Sequence, residues 1–395
     1  MRRAEGGFPG DDDAGATRTT AAPLPQAPLD DAQRLACLRL IRSEGVGPVA
    51  FRTLINRFGG ADEALDALPD LARRGGRSRP LRLCPRERAE AELAAASRAG
   101  ARPVFTIEPG YPPALAHVDV PPPMLYLRGD VALLQRPALA IVGSRQSSAA
   151  GLSLAQSFGQ ALGAAGYVIV SGLARGIDTA AHRAALDTGT VAVLAGGIDH
   201  VYPPENAVLL ETIAARGCLV SEQPPGFTPR ATDFPRRNRI IAGIALGVLI
   251  VEAARRSGTL ITARLAAEMG RDVMAVPGHP LDPRAEGTNQ LLKDGAALVT
   301  SPEDVLATLA GLGGRPVASP QPLAPTPTEP ARREPDASSE SVRDLVLAGL
   351  GPAPVSIDQL ARALHLPIQD VQGVLLELSL AGRIVLHGAQ LVSRA

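Results

Sequence analysis

Between residues 138 and 310, short apolar runs alternate with stretches of helical pattern, and this alternation restricts the fold more than any other feature of the chain. The apolar runs lack polar residues at every second position, so both faces of each strand are expected to be buried. Such strands, separated by helices, form a mostly parallel sheet that helices cover on both sides. We therefore predict a Rossmann-like α/β domain. The predicted strands are 138–142, 167–170, 190–194, 218–220, 247–251, 273–276 and 297–299, and the predicted helices are 150–165, 178–187, 204–216, 236–245, 258–270 and 286–294.

The segment before this domain predicts a small helical module. Apolar residues at three- and four-residue spacing lie on both sides of a G-x-G turn at Gly45–Gly47, which indicates two packed helices. The segment resembles a helix-hairpin-helix or SAM-like module. Backbone N–H groups at such a turn can hold a phosphate, but a plain helical turn is the interpretation we favour. Residues 103–136 are proline-rich, with two short extended pieces at 103–107 and 124–128.

The C-terminal part predicts a winged helix behind a linker. Residues 312–340 carry seven prolines, whereas 341–350, 356–364 and 367–380 have helical patterns and two short strands follow. The third helix of a winged helix can read DNA, but here it carries Asp370 and Glu377 and no arginine, which favours a protein-contact or structural role. The predicted organisation is a disordered tail (1–30), a helical domain (31–102), an extended Rossmann-like core (103–311), a linker (312–340) and a winged-helix domain (341–395).

Composition excludes several classes of protein. The chain has 40 basic and 40 acidic residues, so any site for a polyanion must be a local patch. Aromatic residues make up 3% of the chain, which argues against a stacking platform built from many rings. Cys37, Cys84 and Cys218 are far apart, and the histidines lack metal-ligand spacing, so we predict no disulfide framework and no metal. The longest aliphatic run, 240–251, is too short to span a membrane, and the start has no signal-peptide pattern; we expect a cytoplasmic protein without membrane contact.

Ligands of open parallel sheets bind at the carboxyl ends of the strands, so the loops that follow the strands are the candidates for a site. The first loop holds Gly143, Ser144 and Arg145, but it has neither the dinucleotide nor the P-loop fingerprint. The second holds Ser171, Gly172, Arg175 and Gly176, in which two glycines flank an arginine. Glycine permits close backbone approach and arginine can clamp an anion, so each loop is a candidate phosphate site.

The most specific signal is a cluster at the start of a helix: Arg236, Arg237, Asn238 and Arg239. Cations are disfavoured at a helix N-terminus, and the core from 137 to 310 has no net excess of basic residues. We therefore predict that an anion binds at this cluster. Together with Arg145, Arg175 and Lys293, the cluster gives several adjacent phosphate positions, and such a row suits a strand of nucleic acid better than a mononucleotide.

Catalytic groups are less clearly indicated. Asp178 and His182 are four residues apart on one helix, so a hydrogen bond between them is expected, and a buried structural pair is a better interpretation than an acid–base couple. No Ser-His-Asp arrangement stands out. A hydrolase is not excluded, because four carboxylates near strand ends could supply an acid–base pair: Asp178, Asp199, Glu222 and Glu252.

Seven motifs in order resemble the DNA-processing protein A (DprA or Smf) family: GSR, SGLARGID, VLAGGIDHVYPPEN, SEQPPG, FPRRNRIIAG, VLIVEAARRSGTLITARLA and AVPGHP with GTNQLLKDGA. The resemblance implies a protein that binds single-stranded DNA, protects it during natural transformation and loads the RecA recombinase onto it as a homodimer, with no enzymatic activity and no cofactor. The DNA-contacting positions would be Gly143, Ser144, Arg145, Ser171, Gly172, Arg175, Gly176, Arg237, Asn238, Arg239 and Lys293, to which we add Arg236. The positions expected to support the site are Asp178, His182, Glu252, Gly258, Thr259, Pro277 and Gly278.

Two other functions stay open at this point. Ser257-Gly258-Thr259 with Glu252 faintly resembles the helix starts of nucleotide phosphoribohydrolases, although the order of the motif differs. The chain would then be a Rossmann-like enzyme that acts on nucleotides. Alternatively, the terminal modules would make it an adaptor that recruits a protein partner.

Overall fold

A computed structural model describes residues 28–310 and 337–395. Residues 1–27 of the expected disordered tail and residues 312–336 of the expected linker lie outside the described residues. The remaining four residues of the expected linker, 337–340, belong to the first helix of the C-terminal module.

Residues 28–101 form four helices where the sequence indicated two: α1 (Asp31–Arg42), α2 (Pro48–Phe58), α3 (Ala61–Arg74) and α4 (Arg86–Arg98). A capping box, in which Asp30 and Gln33 exchange side-chain and backbone hydrogen bonds, begins α1. Leu38, Leu54 and Leu68 are fully buried at the centre of these helices. The whole helical domain also packs on the sheet, because its apolar cluster continues into residues of the core such as Leu219.

The core contains a nine-stranded sheet within residues 102–310. The strands are β1 (Arg102–Phe105), β2 (Met124–Gly129), β3 (Ala138–Val142), β4 (Val168–Ser171), β5 (Thr190–Gly197), β6 (Cys218–Gln223), β7 (Gly247–Ile250), β8 (Asp272–Ala275) and β9 (Ala297–Leu298). Their order in the sheet is β1-β2-β6-β5-β4-β3-β7-β8-β9. The seven strands from β3 onward run parallel, which confirms the predicted Rossmann-like α/β class. The two extended pieces in the proline-rich segment add antiparallel strands at one edge.

Helices cover both faces of this sheet. Residues that alternate along the central strands enter two different apolar clusters, as Leu139 and Ala140 of β3 do, so these strands are apolar on both faces. The helices within residues 102–310 are α5 (Pro113–Ala116), α6 (Ala149–Ala164), α7 (Ile177–Ala184), α8 (Ala207–Arg216), α9 (Asp233–Ile244), α10 (Gly258–Glu268), α11 (Glu286–Lys293) and α12 (Pro302–Ala310).

The C-terminal residues form the expected winged helix around their own apolar cluster. In the described residues after 336 the elements are α13 (Ala337–Ala348), β10 (Val355–Ser356), α14 (Ile357–Ala363), α15 (Ile368–Leu380), β11 (Ile384–His387) and β12 (Leu391–Arg394). The two expected strands, β11 and β12, are joined by a third, because Val355 and Ser356 of β10 pair with β12.

Polar contacts fix the N-terminal helices to the core. The Glu92 carboxylate accepts hydrogen bonds from Arg42 of α1 and from the Tyr126 hydroxyl of β2. A second link joins Arg34 of α1 to Glu108, with 3.0 Å between the guanidinium and the carboxylate. No helix in the described part of the chain is long and apolar enough to cross a lipid bilayer.

Candidate functional site

A cleft of about 960 Å³ lies at the carboxyl ends of β3 and β4, and loops that precede α7, α9 and α10 form its walls. In a parallel sheet this edge collects loops and helix N-termini, which explains why glycines and arginines meet here. Of the predicted site residues, the cleft is lined by Gly143, Ser144, Arg145, Gly172, Arg175, Asp178, Arg237, Asn238, Gly258 and Thr259.

Two of the predicted arginines present exposed guanidinium groups to the cleft. The Arg145 guanidinium lies over the Phe234 ring, with its central carbon 5.3 Å from the ring centroid. Arg175 pairs with Glu205, and the Arg175 side chain is 60% exposed. Because both cations stay in contact with solvent, they can exchange their counterions or weak partners for a phosphate.

Glycines let the first two loops approach each other closely. Gly176 has a φ of +74°, a conformation that side-chain-bearing residues rarely adopt. A Cβ at this position would overlap Ser144 O of the neighbouring loop. The Ile177 N–H donates to the same carbonyl oxygen at 3.3 Å, so the two loops form one wall of the cleft.

Arg237 is placed differently from its neighbours in the arginine cluster. Its side chain is buried, and Nη1 donates to Gly172 O at 2.7 Å and to Val193 O. Burial lowers the pKa of Arg237 to about 10, and the Asp178 carboxylate acts in the opposite direction. The sequence predicted that an anion binds at the arginine cluster. Arg237 reaches the inner wall of the cleft, but its guanidinium already ties Gly172, directly after β4, and Val193, within β5, to α9.

Arg236 and Arg239 have an anion partner within the protein. The Glu222 carboxylate lies 2.5 Å from Arg239 Nη2 and 3.7 Å from Arg236 Nε. This pairing explains how basic residues are tolerated in the first turns of α9, where the helix dipole disfavours them. The Arg236 side chain is largely exposed, whereas that of Arg239 is mostly buried.

The expected hydrogen bond between Asp178 and His182 is absent from the described contacts. Asp178 accepts from the N–H groups of Gly172 (3.1 Å) and Ala174 (3.3 Å), while burial raises its pKa. His182 Nδ1 instead lies 2.7 Å from the Thr190 hydroxyl, and burial together with Arg237 lowers the pKa of His182 to about 3. Both residues are buried and support the loops. The hydrogen bonds of the Asp178 carboxylate are made with main-chain N–H groups of a tight turn instead of with the His182 imidazole.

The Ser-Gly-Thr turn at the start of α10 forms another part of the wall. The Ser257 side chain caps the helix, and the Thr259 hydroxyl donates to Gly143 O at 3.1 Å. Asn238 of α9 donates to Gly258 O at 3.4 Å, which holds the two helix starts together. Glu252 accepts hydrogen bonds from the backbone N–H and hydroxyl of Ser148 and does not line the cleft.

Besides Glu252, eight predicted positions are not among the residues that line the cleft: Ser171, Gly176, His182, Arg236, Arg239, Pro277, Gly278 and Lys293. Ser171 is buried and donates to Ile141 O. Gly278 exchanges two hydrogen bonds with the Asn289 side chain, which fixes the loop after β8. Lys293 is exposed at the last position of α11.

Sequence reasoning missed two aromatic residues in the cleft. Tyr202 and Phe234 have ring centroids 5.1 Å apart and ring planes inclined at 54°, and Tyr202 is 46% exposed. The low aromatic content argued against many rings, yet two rings beside Arg145 make a local stacking surface. Their positions within the VYPPEN and FPRRNR motifs were the available signal.

The arrangement combines exposed cations, aromatic rings and glycine-rich turns on one open surface. Cations and turn N–H groups suit phosphates, and rings suit bases, so the chemistry fits a nucleotide or a chain of nucleotides. Among residues 28–310 and 337–395, no group of three His, Cys, Asp or Glu side chains is placed to hold a metal ion.

Comparison with known families gives three matches along the chain. The model described as DNA recombination-mediator protein A matches residues 102–310. A DprA-like N-terminal HHH domain matches residues 31–95, and a DprA winged helix domain matches residues 323–390.

Individual proteins agree with these matches. Protein Smf of Escherichia coli (strain K12) is 41% identical over 279 residues, which cover 69% of this chain and 72% of that protein. DNA processing protein DprA of Streptococcus pneumoniae is 46% identical over 208 residues, which cover 52% of this chain and 73% of that protein.

A solved structure agrees with this family. DNA processing protein A from Streptococcus pneumoniae superimposes with a TM-score of 0.52 and 42% identity, over 56% of this chain and 80% of that chain. DNA processing protein A from Helicobacter pylori, which is described as having a unique single-stranded DNA binding mode, has a TM-score of 0.49 and 30% identity over 53% of this chain and 96% of that chain. The chain belongs to the DNA recombination-mediator protein A family, also called DprA or Smf.

Proposed function

We propose that this protein binds single-stranded DNA in the cleft at the carboxyl ends of β3 and β4. Arg145 and Arg175 would contact successive phosphates, and Tyr202 and Phe234 would stack on unpaired bases. The observation that carries the proposal is that an exposed ring, Tyr202, a half-buried ring, Phe234, and exposed cations lie on the same open wall. Stacking on rings tolerates any sequence, because every base has a π-face, so we expect little base preference.

The rings favour a single strand over a duplex. In a duplex the bases are stacked on each other and paired, so rings on a protein surface reach them only if the helix is opened. A free strand lets its bases turn toward the protein at no such cost. Phosphate contacts alone would not discriminate between the two forms. We therefore propose that the arginines contribute affinity for both forms of DNA, whereas the two rings add affinity for the single strand only.

The carboxylates favour a binding role over the nucleotide hydrolase that the sequence left open. The two oxygens of Glu222 pair with two arginines, and Glu252 is held by Ser148. Asp178 accepts from turn N–H groups, and Asp199 accepts from the Gly226 N–H. A general acid or base must reach the proton that it transfers, and each of these carboxylates is already bound to protein donors. We propose that the protein has no catalytic activity and needs no cofactor.

Finer roles follow from family membership as further proposals. We propose that the bound strand is protected from degradation, that the protein loads the RecA recombinase onto it during natural transformation, and that it acts as a homodimer in the cytoplasm. The contacts with RecA and between protomers would lie outside the cleft, since the cleft is assigned to DNA. If the protein were instead an adaptor that does not bind DNA, neither single strands nor duplexes would bind in the cleft.

A salt-dependent fluorescence-anisotropy titration tests the proposal. Labelled single strands and duplexes of equal length are titrated with the protein, and AMP is added as a competitor. We expect tighter binding of the single strand and little displacement by AMP, because one nucleotide forms only a fraction of the contacts. Equal binding of both forms, or efficient displacement or hydrolysis of AMP, would contradict the proposal and support the nucleotide enzyme.

A further inference from the structure

The outer face of α15 is covered by the N-terminal helical domain. The core of the winged helix takes Val371, Leu375 and Leu378 from this helix. A second stripe, Leu376 and Leu380, belongs to the apolar cluster of the N-terminal domain instead. At 3.6 residues per turn the second stripe lies on roughly the opposite side of the helix from the first, about 140–180° away. In winged-helix proteins that read DNA, the third helix presents its outer face to the major groove.

Polar contacts reinforce this packing. Arg77 Nη1 donates to Leu380 O at 3.2 Å, and Arg343 Nη1 of the winged helix donates to Arg74 O at 2.8 Å. Arg74 also lies 3.5 Å from the Glu377 carboxylate, of which the side chain is 14% exposed. Bonds from guanidinium groups to the main chain of the other module need a fixed geometry, so the two modules are held in one orientation.

Gly75, directly after α3, shows that the N-terminal domain is shaped for this helix. A Cβ at Gly75 would overlap the main-chain oxygen of Glu377 and would lie 2.9 Å from Ala381 Cβ. The backbone of Gly75 is right-handed helical, with φ −67° and ψ −4°, which any L-residue adopts without strain. The fold of the N-terminal domain therefore does not require glycine here, whereas the close approach of α15 does.

We propose that the outer face of α15 is a protein-docking surface, that its partner is the end of α3 around Gly75 in the same chain, and that the winged helix does not read duplex DNA. The chemistry of the face agrees with this. Leu376 and Leu380 are apolar and Glu377 is acidic, whereas a DNA backbone requires cations. The basic residues that contact this face, Arg74 and Arg77, belong to the N-terminal domain. The inference is independent of the single-strand cleft.

Spin-label distances in the full chain test the docking. The reporter cysteines are Arg98→Cys on α4 and Arg362→Cys on α14, two exposed positions, and the three native cysteines are free but buried. We expect one narrow distance distribution. Gly75→Leu should broaden it severalfold, because the side chain excludes α15 and only residues 311–336 then join the modules. Arg73→Leu, a neighbouring exposed position, is the matched control and should keep the distribution narrow.

Glu377→Arg breaks the contact from the other side. It places a cation beside Arg74 without touching the core of the winged helix, so the same broadening is expected even if Gly75→Leu fails to fold. Duplex-DNA affinity, measured by anisotropy, is compared for Gly75→Leu alone, because this variant leaves the charge of α15 unchanged, and it should change less than twofold on release. A distribution that stays narrow in the folded variants would overturn the docking. A tenfold or larger rise in the duplex affinity of Gly75→Leu would show instead that α15 is a masked DNA-reading helix.

Discussion

Replacing Arg237 by alanine should destabilise the fold without removing a DNA contact. The side chain is buried, and its guanidinium donates to Gly172 O and Val193 O. Alanine leaves both carbonyls without these donors and removes the cation that favours the charged form of Asp178. A buried acceptor that loses its donor costs about 1–3 kcal/mol, so the two carbonyls together cost about 2–6 kcal/mol. For a core of this size, that corresponds to a fall in Tm of roughly 4–24 °C.

Arg145→Ala is the matched comparison. Arg145 is exposed and contacts the face of Phe234, so its loss should change the free energy of unfolding by less than about 1 kcal/mol. Arg145 is free to meet a phosphate, however, and each such contact contributes about 0.7 to the slope of log affinity against log salt for a single strand. We expect Arg145→Ala to flatten the slope by about 0.7 and Arg237→Ala to leave it unchanged.

Two assays separate these effects. Urea denaturation followed by circular dichroism gives the stability of each variant, and anisotropy titrations at several salt concentrations give the slope at a temperature where both variants are folded. An Arg237→Ala protein with wild-type stability and a flattened salt slope would refute the reasoning, because Arg237 would then be a phosphate ligand.

Three further predictions concern the rings, a buried histidine and the lysine. In anisotropy titrations, Tyr202→Ala should weaken single-strand binding about 5- to 150-fold and leave the salt slope unchanged, because a stacked base contributes about 1–3 kcal/mol. An equal loss of affinity for a duplex would contradict stacking. His182 has a pKa of about 3 when folded against 6.5 when unfolded. As the pH falls from 7 to 5, the imidazole is therefore protonated in the unfolded state but not in the folded state, which favours unfolding. Over this range the free energy of unfolding of the wild type, measured by urea denaturation, should fall by about 2 kcal/mol more than that of His182→Gln. Parallel curves of unfolding free energy against pH for the two proteins would contradict this. Lys293→Ala should weaken anisotropy-measured binding of long single strands only, since Lys293 lies outside the cleft; an equal loss with an oligonucleotide short enough to lie within the cleft would contradict it.

The parallel sheet was predictable because burial of both strand faces leaves a direct trace in the sequence. Runs such as Ala138–Val142 contain apolar residues only. The helix α4 leaves a weaker trace, because its fully buried residues are two alanines, Ala89 and Ala96, among arginines and glutamates. Strand β10 has two residues and forms only through pairing with β12, so no local sequence pattern predicts it.

The orientation of side chains within a motif was the least predictable part of the site. Arg236, Arg237 and Arg239 were treated as one cluster, yet successive residues of a helix point about 100° apart. One of them therefore had to turn away from the other two, and Arg237 points into the protein. The partners of Asp178 and His182 likewise depended on which main-chain N–H groups and hydroxyls the folded loops bring near, and spacing along a helix does not contain that information.

Photo-crosslinking of a single strand that contains iododeoxyuridine tests the central claim most directly, because this base reacts with the aromatic ring on which it stacks. After irradiation and digestion, mass spectrometry identifies the modified peptides. The account predicts adducts at Tyr202 and Phe234, with loss of the first in Tyr202→Ala. Adducts confined to the winged helix or the N-terminal helices, with none at the cleft, would contradict it.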